Sequence, residues 1–293
     1  MHITDLIPPA LTLSANQKGK NAPSLPGLFV YRQEAVTAFD AVVYNPVVCL
    51  ILQGAKVTTI GDQVTTLARG DALIVSHDLP VQSRITEATP DAPYLALILS
   101  LDLGTIRSLY QQVGSHLNDA TDARSLSSAP ADPTLIDTLG RYLALQDNPL
   151  DARVLGPAIL REVHYRLLIS PSGGMLRRLL SIDSHASRVS RAILKLRADF
   201  RETLAVADLA REAGMSPSSF HTHFKTVTGT TPLQYQKDLR MIAARDLLRA
   251  GRHSVSTASF EVGYESPTHF SRDYQRKFGM APSRDTGSTE QAA

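Results

Sequence analysis

Between residues 28 and 100 the apolar positions come in short runs: FVYRQ, VVCLILQG, KVTTIG, QVTTLARG, DALIVS and YLALILSL. They are rich in Val, Ile, Leu and Thr and are separated by Gly, Pro and Asp, which predicts strands closely spaced in an antiparallel sheet or barrel. Gly61-Asp62, between KVTTI and QVTTL, predicts a hairpin turn, because glycine adopts positive φ without strain. After residue 103 the period changes. LGTIRSLYQQV, PTLIDTLGRYLAL and LGPAILREVHYRLLI carry apolar residues at spacings of three and four, which predicts amphipathic helices. In the last of these Leu155, Ile159, Val163 and Leu167 form a stripe that is expected to bury itself on the barrel or on a second subunit. SPSGG, 170–174, has the composition of a flexible joint, and everything beyond it reads as helical.

Within that helical half one helix is written twice, as SPSSFHTHFKTVTG from Ser216 and as SPTHFSRDYQRKFG from Ser266. Each opens on Ser-Pro, suited to N-cap and N1: the hydroxyl accepts an otherwise unpaired N–H, and proline at N1 forfeits no hydrogen bond. Phe220, Phe224 and Val227 in one copy, and Phe270, Tyr274 and Lys277/Phe278 in the other, follow the spacing of a buried face, with Lys277 an imperfect end to the second. Gly229 and Gly279 fall where a C-terminal glycine ends a helix. A shorter helix precedes each copy, VADLAREA before Gly214-Met215 and VSTASFEV before Gly263-Tyr264-Glu265. Helix, short glycine-containing turn and second capped helix is the helix-turn-helix pattern.

Opposite the aromatic faces lie short polar and basic side chains: Ser218, His221, Thr222 and Lys225, then Thr268, His269, Ser271, Arg272 and Arg276. Such groups hydrogen-bond to base edges and phosphates in a major groove. From Pro232 to Ala250 a further helix is predicted, with Tyr235, Leu239, Ile242, Ala243 and Leu247 along one side. At 1.5 Å per residue it spans about 28 Å, close to the separation of about 34 Å between successive major-groove faces. A strut of that length would let one subunit read two consecutive groove segments.

Composition sharpens this picture. The 293 residues suffice for two domains, and 43% hydrophobic with 20% charged is ordinary for a globular chain. The net charge of +2 hides an asymmetry: residues 1–175 hold 12 Lys+Arg against 16 Asp+Glu, and 176–293 hold 18 against 12. A basic half joined to an acidic half predicts that one meets a polyanion. No apolar run approaches the roughly 20 residues of a membrane span, and Asp5, Pro8 and Pro9 interrupt the opening MHITDLIPPALTL, which reads as neither signal peptide nor anchor. The single cysteine, Cys49, allows no intrachain disulfide, which predicts a reducing, cytoplasmic setting.

Residues 185–284, notably AGMSPSSFHTHFKTVTGTTPLQYQKDLR and VGYESPTHFSRDYQRKFG, resemble the DNA-binding domain of the AraC/XylS family of bacterial transcription regulators. The resemblance implies DNA contacts from Ser218, His221 and Thr222 and from Thr268, His269, Ser271 and Arg272, with duplex DNA and RNA polymerase as partners. One departure is that Pro282 leads into SRDTGSTEQAA, where many members have an aromatic residue and Arg. VVCLILQGAKVTTIGDQ, the PV at 80–81 and PYLALILSLD resemble the cupin-like N-terminal domain of one AraC-type subgroup, implying effector sensing or dimerisation. The expected architecture is α+β with two domains. A cupin-like antiparallel β-barrel spans 1–102, a helical dimerisation region 103–175, and an all-α domain of two helix-turn-helix motifs joined by a linker helix 176–293.

Other chemistry is thin. A cupin metal site wants about three convergent His, Asp or Glu ligands, and the strand region holds one histidine, His77. His221 and His223, two apart on a helix, diverge and do not chelate one ion. No glycine-rich phosphate loop is present, and no cofactor is expected. Cys49 in an apolar strand reads as a small hydrophobe, or as a redox or electrophile sensor if a cation such as Lys56 lies beside it. Cys49, Lys56, His77 and Tyr94 are the candidate effector-binding residues. Three readings remain open: a regulator governed by a small molecule in the barrel, a metal-dependent cupin enzyme with a DNA-binding appendage, and a DNA-binding protein whose N-terminal half only dimerises.

Overall fold

The strand Val47–Gln53 buries five residues in succession, Val48 to Leu52, which requires a sheet covered on both faces. The computed structural model describes residues 1–17, 25–117, 124–181, 184–251 and 253–285. Its strands are β1 (Leu28–Gln33), β2 (Asp40–Tyr44), β3 (Val47–Gln53), β4 (Ala55–Ile60), β5 (Gln63–Ala68), β6 (Asp71–Val75), β7 (Leu79–Glu87), β8 (Tyr94–Ser100) and β9 (Leu126–Pro130). They form two antiparallel sheets, one in the order β1-β8-β3-β6-β9 and the other β2-β7-β4-β5. Because side chains alternate between faces, β3 divides its residues between two cores. Val48, Leu50 and Leu52 join Leu95, Leu97 and Leu99 of β8 beneath helices, whereas Cys49 and Ile51 join Tyr94 and Ala96 inside the barrel.

The helices over the outer face are α1 (Ile7–Asn16), α2 (Leu103–Val113), α3 (Pro133–Ala144) and α4 (Pro149–Ile169). Beyond them follow α5 (Gly174–Leu180), α6 (His185–Asp199), α7 (Val206–Glu212), α8 (Pro217–Thr228), α9 (Pro232–Arg249), α10 (Val255–Glu261) and α11 (Pro267–Phe278). The barrel core does not stop at the domain boundary. It runs on into Val189, Ile193 and Leu196 of α6, Phe220 and Phe224 of α8, and Tyr235 of α9.

The six predicted strands are all present, and three more escaped the pattern. β2 is short, β7 carries a proline and a polar QSRITE stretch, and β9 is the small, polar LSSAP. Helix α1 also escaped, because Pro8 and Pro9 read as breakers; they sit in its first turn, where no intrahelical N–H is required. SPSGG is no open joint. Gly173 and Gly174 are buried, and the Arg177 guanidinium donates to the carbonyls of Leu168 (2.6 Å) and Ser170 (3.0 Å). The α4 stripe is buried only at Val163 and Leu167, while Leu155 stands 47% exposed beside exposed Leu150 and Val154. Nor is α9 a one-sided strut: Gln236, Asp238, Met241, Ala244, Arg245 and Leu248 are buried along with Tyr235, Leu239 and Ile242.

Polar contacts on α9 tie the molecule together. The Tyr235 hydroxyl donates to the Asp78 carbonyl at 2.6 Å, and Gln236 donates to the carbonyls of Phe200 and Glu202. Arg245 pairs with Asp40 of β2 and, at 2.8 Å, with Asp285, which also accepts from Arg249 (3.0 Å) and from the Tyr274 hydroxyl (2.9 Å). The tail that departs from the family pattern is therefore docked through Asp285; residues 286–293 lie outside the described residues.

Burial alone would raise the Asp285 pKa, but hydrogen bonds from Tyr274 and Arg249 and the charges of Arg245 and Arg249 hold it below the usual carboxylate range. Such a group stabilises the fold above its unfolded pKa of about 3.9, and the contribution is lost as pH falls through the lower folded value. Asp285→Asn is expected to cost about 2 kcal/mol at neutral pH, less than for an isolated buried pair because Asp40 still faces Arg245. In urea titrations the gap from wild type should close below about pH 4.

Candidate functional site

The two repeated helices are capped and terminated alike. Ser216 accepts from the Ser219 amide and Ser266 from the His269 amide, and both helices end on left-handed glycines, Gly229 at φ 79° and Gly279 at φ 75°. Phe220, Phe224 and Val227 bury one face of α8, and Phe270 and Tyr274 one face of α11. The opposite faces are open: Ser218, His221, Thr222 and Lys225, and then Thr268, His269, Arg272 and Arg276, are exposed, and Ser271 is half-buried with its hydroxyl donating to the Pro267 carbonyl. Arg276 pairs with Asp273, which also accepts from Lys237 (2.7 Å) and the Tyr264 hydroxyl (3.0 Å). Lys277 turns inward to Asp238 at 2.7 Å, which accounts for its place in the apolar stripe. His223 points away from His221 and stacks on His185 with ring centres 3.6 Å apart.

The N-terminal domain bears directly on α8. At the β4–β5 turn Gly61 has φ 55°, and a Cβ there would lie 2.3 Å from the Gly229 carbonyl oxygen. Beside it the Ser125 amide donates to the Val227 carbonyl at 3.1 Å. An open groove of about 540 Å³ separates Asp62, Gln63 and Arg124 from His221, Thr222 and Lys225. The second motif is touched more lightly, by Gln82, which donates to the Lys277 carbonyl at 3.4 Å.

Inside the barrel three of the four candidate effector residues converge. The Lys56 ammonium donates to the Tyr44 hydroxyl at 3.4 Å and to the Cys49 sulfur at 3.7 Å, and lies 5.2 Å from the centre of the Tyr44 ring. The Tyr94 hydroxyl shares this corner, and Tyr31 meets the Tyr94 ring edge-on at 6.0 Å. Burial alone would lower the Lys56 pKa, but Cys49, Tyr44 and Tyr94 hold it above the ordinary lysine value. His77 is elsewhere, its Nδ1 2.9 Å from the hydroxyls of Ser76 and Ser125, and burial pushes its pKa down to about 4. His77 thus lies apart from Cys49, Lys56 and Tyr94. Tyr31 and Tyr44, not among the residues singled out in the sequence, also border this corner, Tyr44 from the unpredicted β2.

Comparison with known proteins now bears on this geometry. The family model described as the AraC-type transcriptional regulator N-terminus matches residues 24–175, and that of a helix-turn-helix domain matches 209–286. The chain belongs to the AraC family of transcription regulators. It is similar to the thermoregulatory protein LcrF of Yersinia pestis, 25% identical over 193 residues, 66% of this chain and 69% of LcrF. It is 33% identical over 96 residues to the transcriptional activator RhaS of Escherichia fergusonii, 33% of this chain and 34% of that protein. It is 29% identical over 125 residues to the regulator ExsA of Pseudomonas aeruginosa, 43% and 45% of the two chains. A structure of ToxT from Vibrio cholerae shares the fold at a TM-score of 0.53 and 15% identity, covering 88% of this chain and 96% of ToxT. As an AraC-family member the protein is a DNA-binding transcription regulator and not an enzyme. Its fold is the expected two-domain α+β arrangement. Among the described residues no helix is long and apolar enough to cross a membrane.

The Gly61–Gly229 contact predicts that Gly61→Ala costs about 1–2 kcal/mol, from positive φ in a residue with a Cβ and from the clash itself. Hydrogen exchange should then quicken at Ser125, whose amide bridges to α8, with the barrel interior unchanged.

Proposed function

We propose that α8 and α11 read two adjacent major-groove segments of one duplex, and that a small molecule in the N-terminal barrel alters how they are presented. The observation that carries this is the pair of matching helices, each with aromatics buried and short polar and basic groups open. Ser218, His221 and Thr222 of α8, and Thr268, His269, Ser271 and Arg272 of α11, are assigned to base edges and nearby phosphates, with Lys225 and Arg276 on the backbone. Helix α9, 18 residues and about 27 Å long, supports spacing near one helical turn of DNA.

The effector reading is supported by the polar corner at Cys49, Lys56, Tyr44 and Tyr94, and by the continuity of the barrel core with α6 and α8. A ToxT structure, similar in fold at a TM-score of 0.50, carries a bound unsaturated fatty acid. Exposed Leu150, Val154 and Leu155 on α4 favour a homodimer, with 103–175 as the subunit-contact region between barrel and DNA-binding domain. RhaS is an activator; recruitment of RNA polymerase, in the cytoplasm, is the corresponding reading here.

Arg272→Ala is expected to weaken specific DNA binding by about 1–3 kcal/mol and relax discrimination at one base position, whereas Lys225→Ala should weaken all sequences alike and lower the salt slope by about 1. Gel-shift titrations at several salt concentrations check both; an unchanged affinity for Arg272→Ala would remove α11 from the groove. Leu155→Glu is expected to shift sedimentation from dimer toward monomer, and a wild-type monomer would count against the α4 interface.

A further inference from the structure

The groove between the two domains is unbalanced in charge. His221, Thr222 and Lys225 stand on its α8 wall, and Asp62, Gln63 and Arg124 on the wall that the N-terminal domain supplies. Arg124 is exposed, in a half of the chain that carries more acid than base. Its guanidinium donates to the Gln63 side-chain oxygen at 3.2 Å, a neutral partner that aims the group and leaves its charge unmatched. Among the described residues neither Arg124 nor Lys225 is paired with a carboxylate, and Asp62 is the one acid lining the groove. Two permanent cations against one carboxylate leave the groove positive.

A second, independent observation is that Arg124 is anchored to α8 through the backbone. The next amide, that of Ser125, donates to the Val227 carbonyl at 3.1 Å, while the Ser125 carbonyl accepts from the Ser76 amide at 2.9 Å. The Ser125 hydroxyl lies 2.9 Å from Nδ1 of the buried His77. The contacts between N-terminal domain and α8 thus fall at Val227 and Gly229, at the end of the helix, and leave Ser218, His221 and Thr222 exposed. In a helix-turn-helix the N-terminal residues of the second helix meet base edges, and groups to either side of them meet phosphates. The N-terminal wall therefore sits beside the reading face and not across it, where a strand bordering the major groove would pass. A phosphodiester brings one negative charge and acceptor oxygens suited to a guanidinium fork and an ammonium. The groove is open to solvent, as a strand that must enter and leave requires.

We propose that this groove takes one sugar-phosphate strand of the duplex that α8 reads, held by Arg124 of the N-terminal domain and by Lys225 of α8. The inference rests on the assignment of α8 to a major groove and adds a DNA contact from the other domain.

The full chain is titrated at several salt concentrations with a tight-binding duplex selected from a random pool and with single-base variants of that duplex. Wild type is compared with Arg124→Ala, Arg124→Lys and Arg107→Ala; Arg107 is exposed on α2, over the outer face of the barrel, and controls for loss of charge alone. Arg124→Ala should lower the slope of log affinity against log salt by about 1, the share of one phosphate contact, and weaken every duplex by the same factor. Arg124→Lys should keep most of the slope, and Arg107→Ala all of it. A slope untouched by Arg124→Ala, or lowered as much by Arg107→Ala, overturns the contact. Tighter binding by Arg124→Ala overturns it as well, and makes the N-terminal wall an obstruction to α8. Failure of the underlying reading has a different signature, because Lys225→Ala and Arg272→Ala would then be silent too.

Discussion

Everything in this molecule is organised around one buried helix and the charge it carries into a seam. Arg245 of α9 meets Asp40 from the N-terminal sheet and Asp285 from the C-terminal tail, and Asp285 is also held by Tyr274 of the second reading helix. Asp40, 205 residues from Arg245 in sequence, and Asp285, 40 residues from it, are thus registered against one guanidinium. Charge pairs of this kind do little for net stability compared with an apolar replacement. Their value is geometric, since each partner removed leaves another uncompensated, and the set holds in one arrangement only.

The same principle of shared elements shapes the barrel. β3 and β8 each divide their side chains between two cores, so any shift of the inner face is felt beneath the helices of the outer face. The inner core then continues, without an intervening solvent layer, into the aromatic residues of α8. The barrel interior and the first helix-turn-helix are two regions of one packed core, and this is a physical basis for coupling between them.

The repeated helices were fully legible in the chain, because caps, aromatic spacing and terminating glycines are all local signals that tertiary context did not override. So were six strands whose β-branched and apolar residues speak for themselves. What escaped did so for identifiable reasons. Prolines at 8 and 9 signal a break unless the helix start is known, and β2, β7 and β9 owe their pairing to neighbours rather than to their own propensity. The composition of SPSGG describes what the segment would do in isolation, not the Arg177 side chain that closes over it. Of the candidate effector residues, Cys49, Lys56 and Tyr94 meet because alternate positions on facing sheets point inward. His77 does not, because it follows the end of β6, where alternation no longer governs direction.

The two helix-turn-helix copies are near twins in sequence but not in their surroundings. The first ends with Gly229 pressed against the backbone of Gly61, whereas the second meets the same domain through the hydrogen bond from Gln82 to the Lys277 carbonyl. A substitution at the end of the first copy must fit a backbone neighbour in the other domain, a constraint that Gly279, with nothing within 4 Å of its Cβ position, does not share. Two helices alike in their own residues are thus unequal in freedom, since contact with the N-terminal domain constrains the first at its C-terminal end.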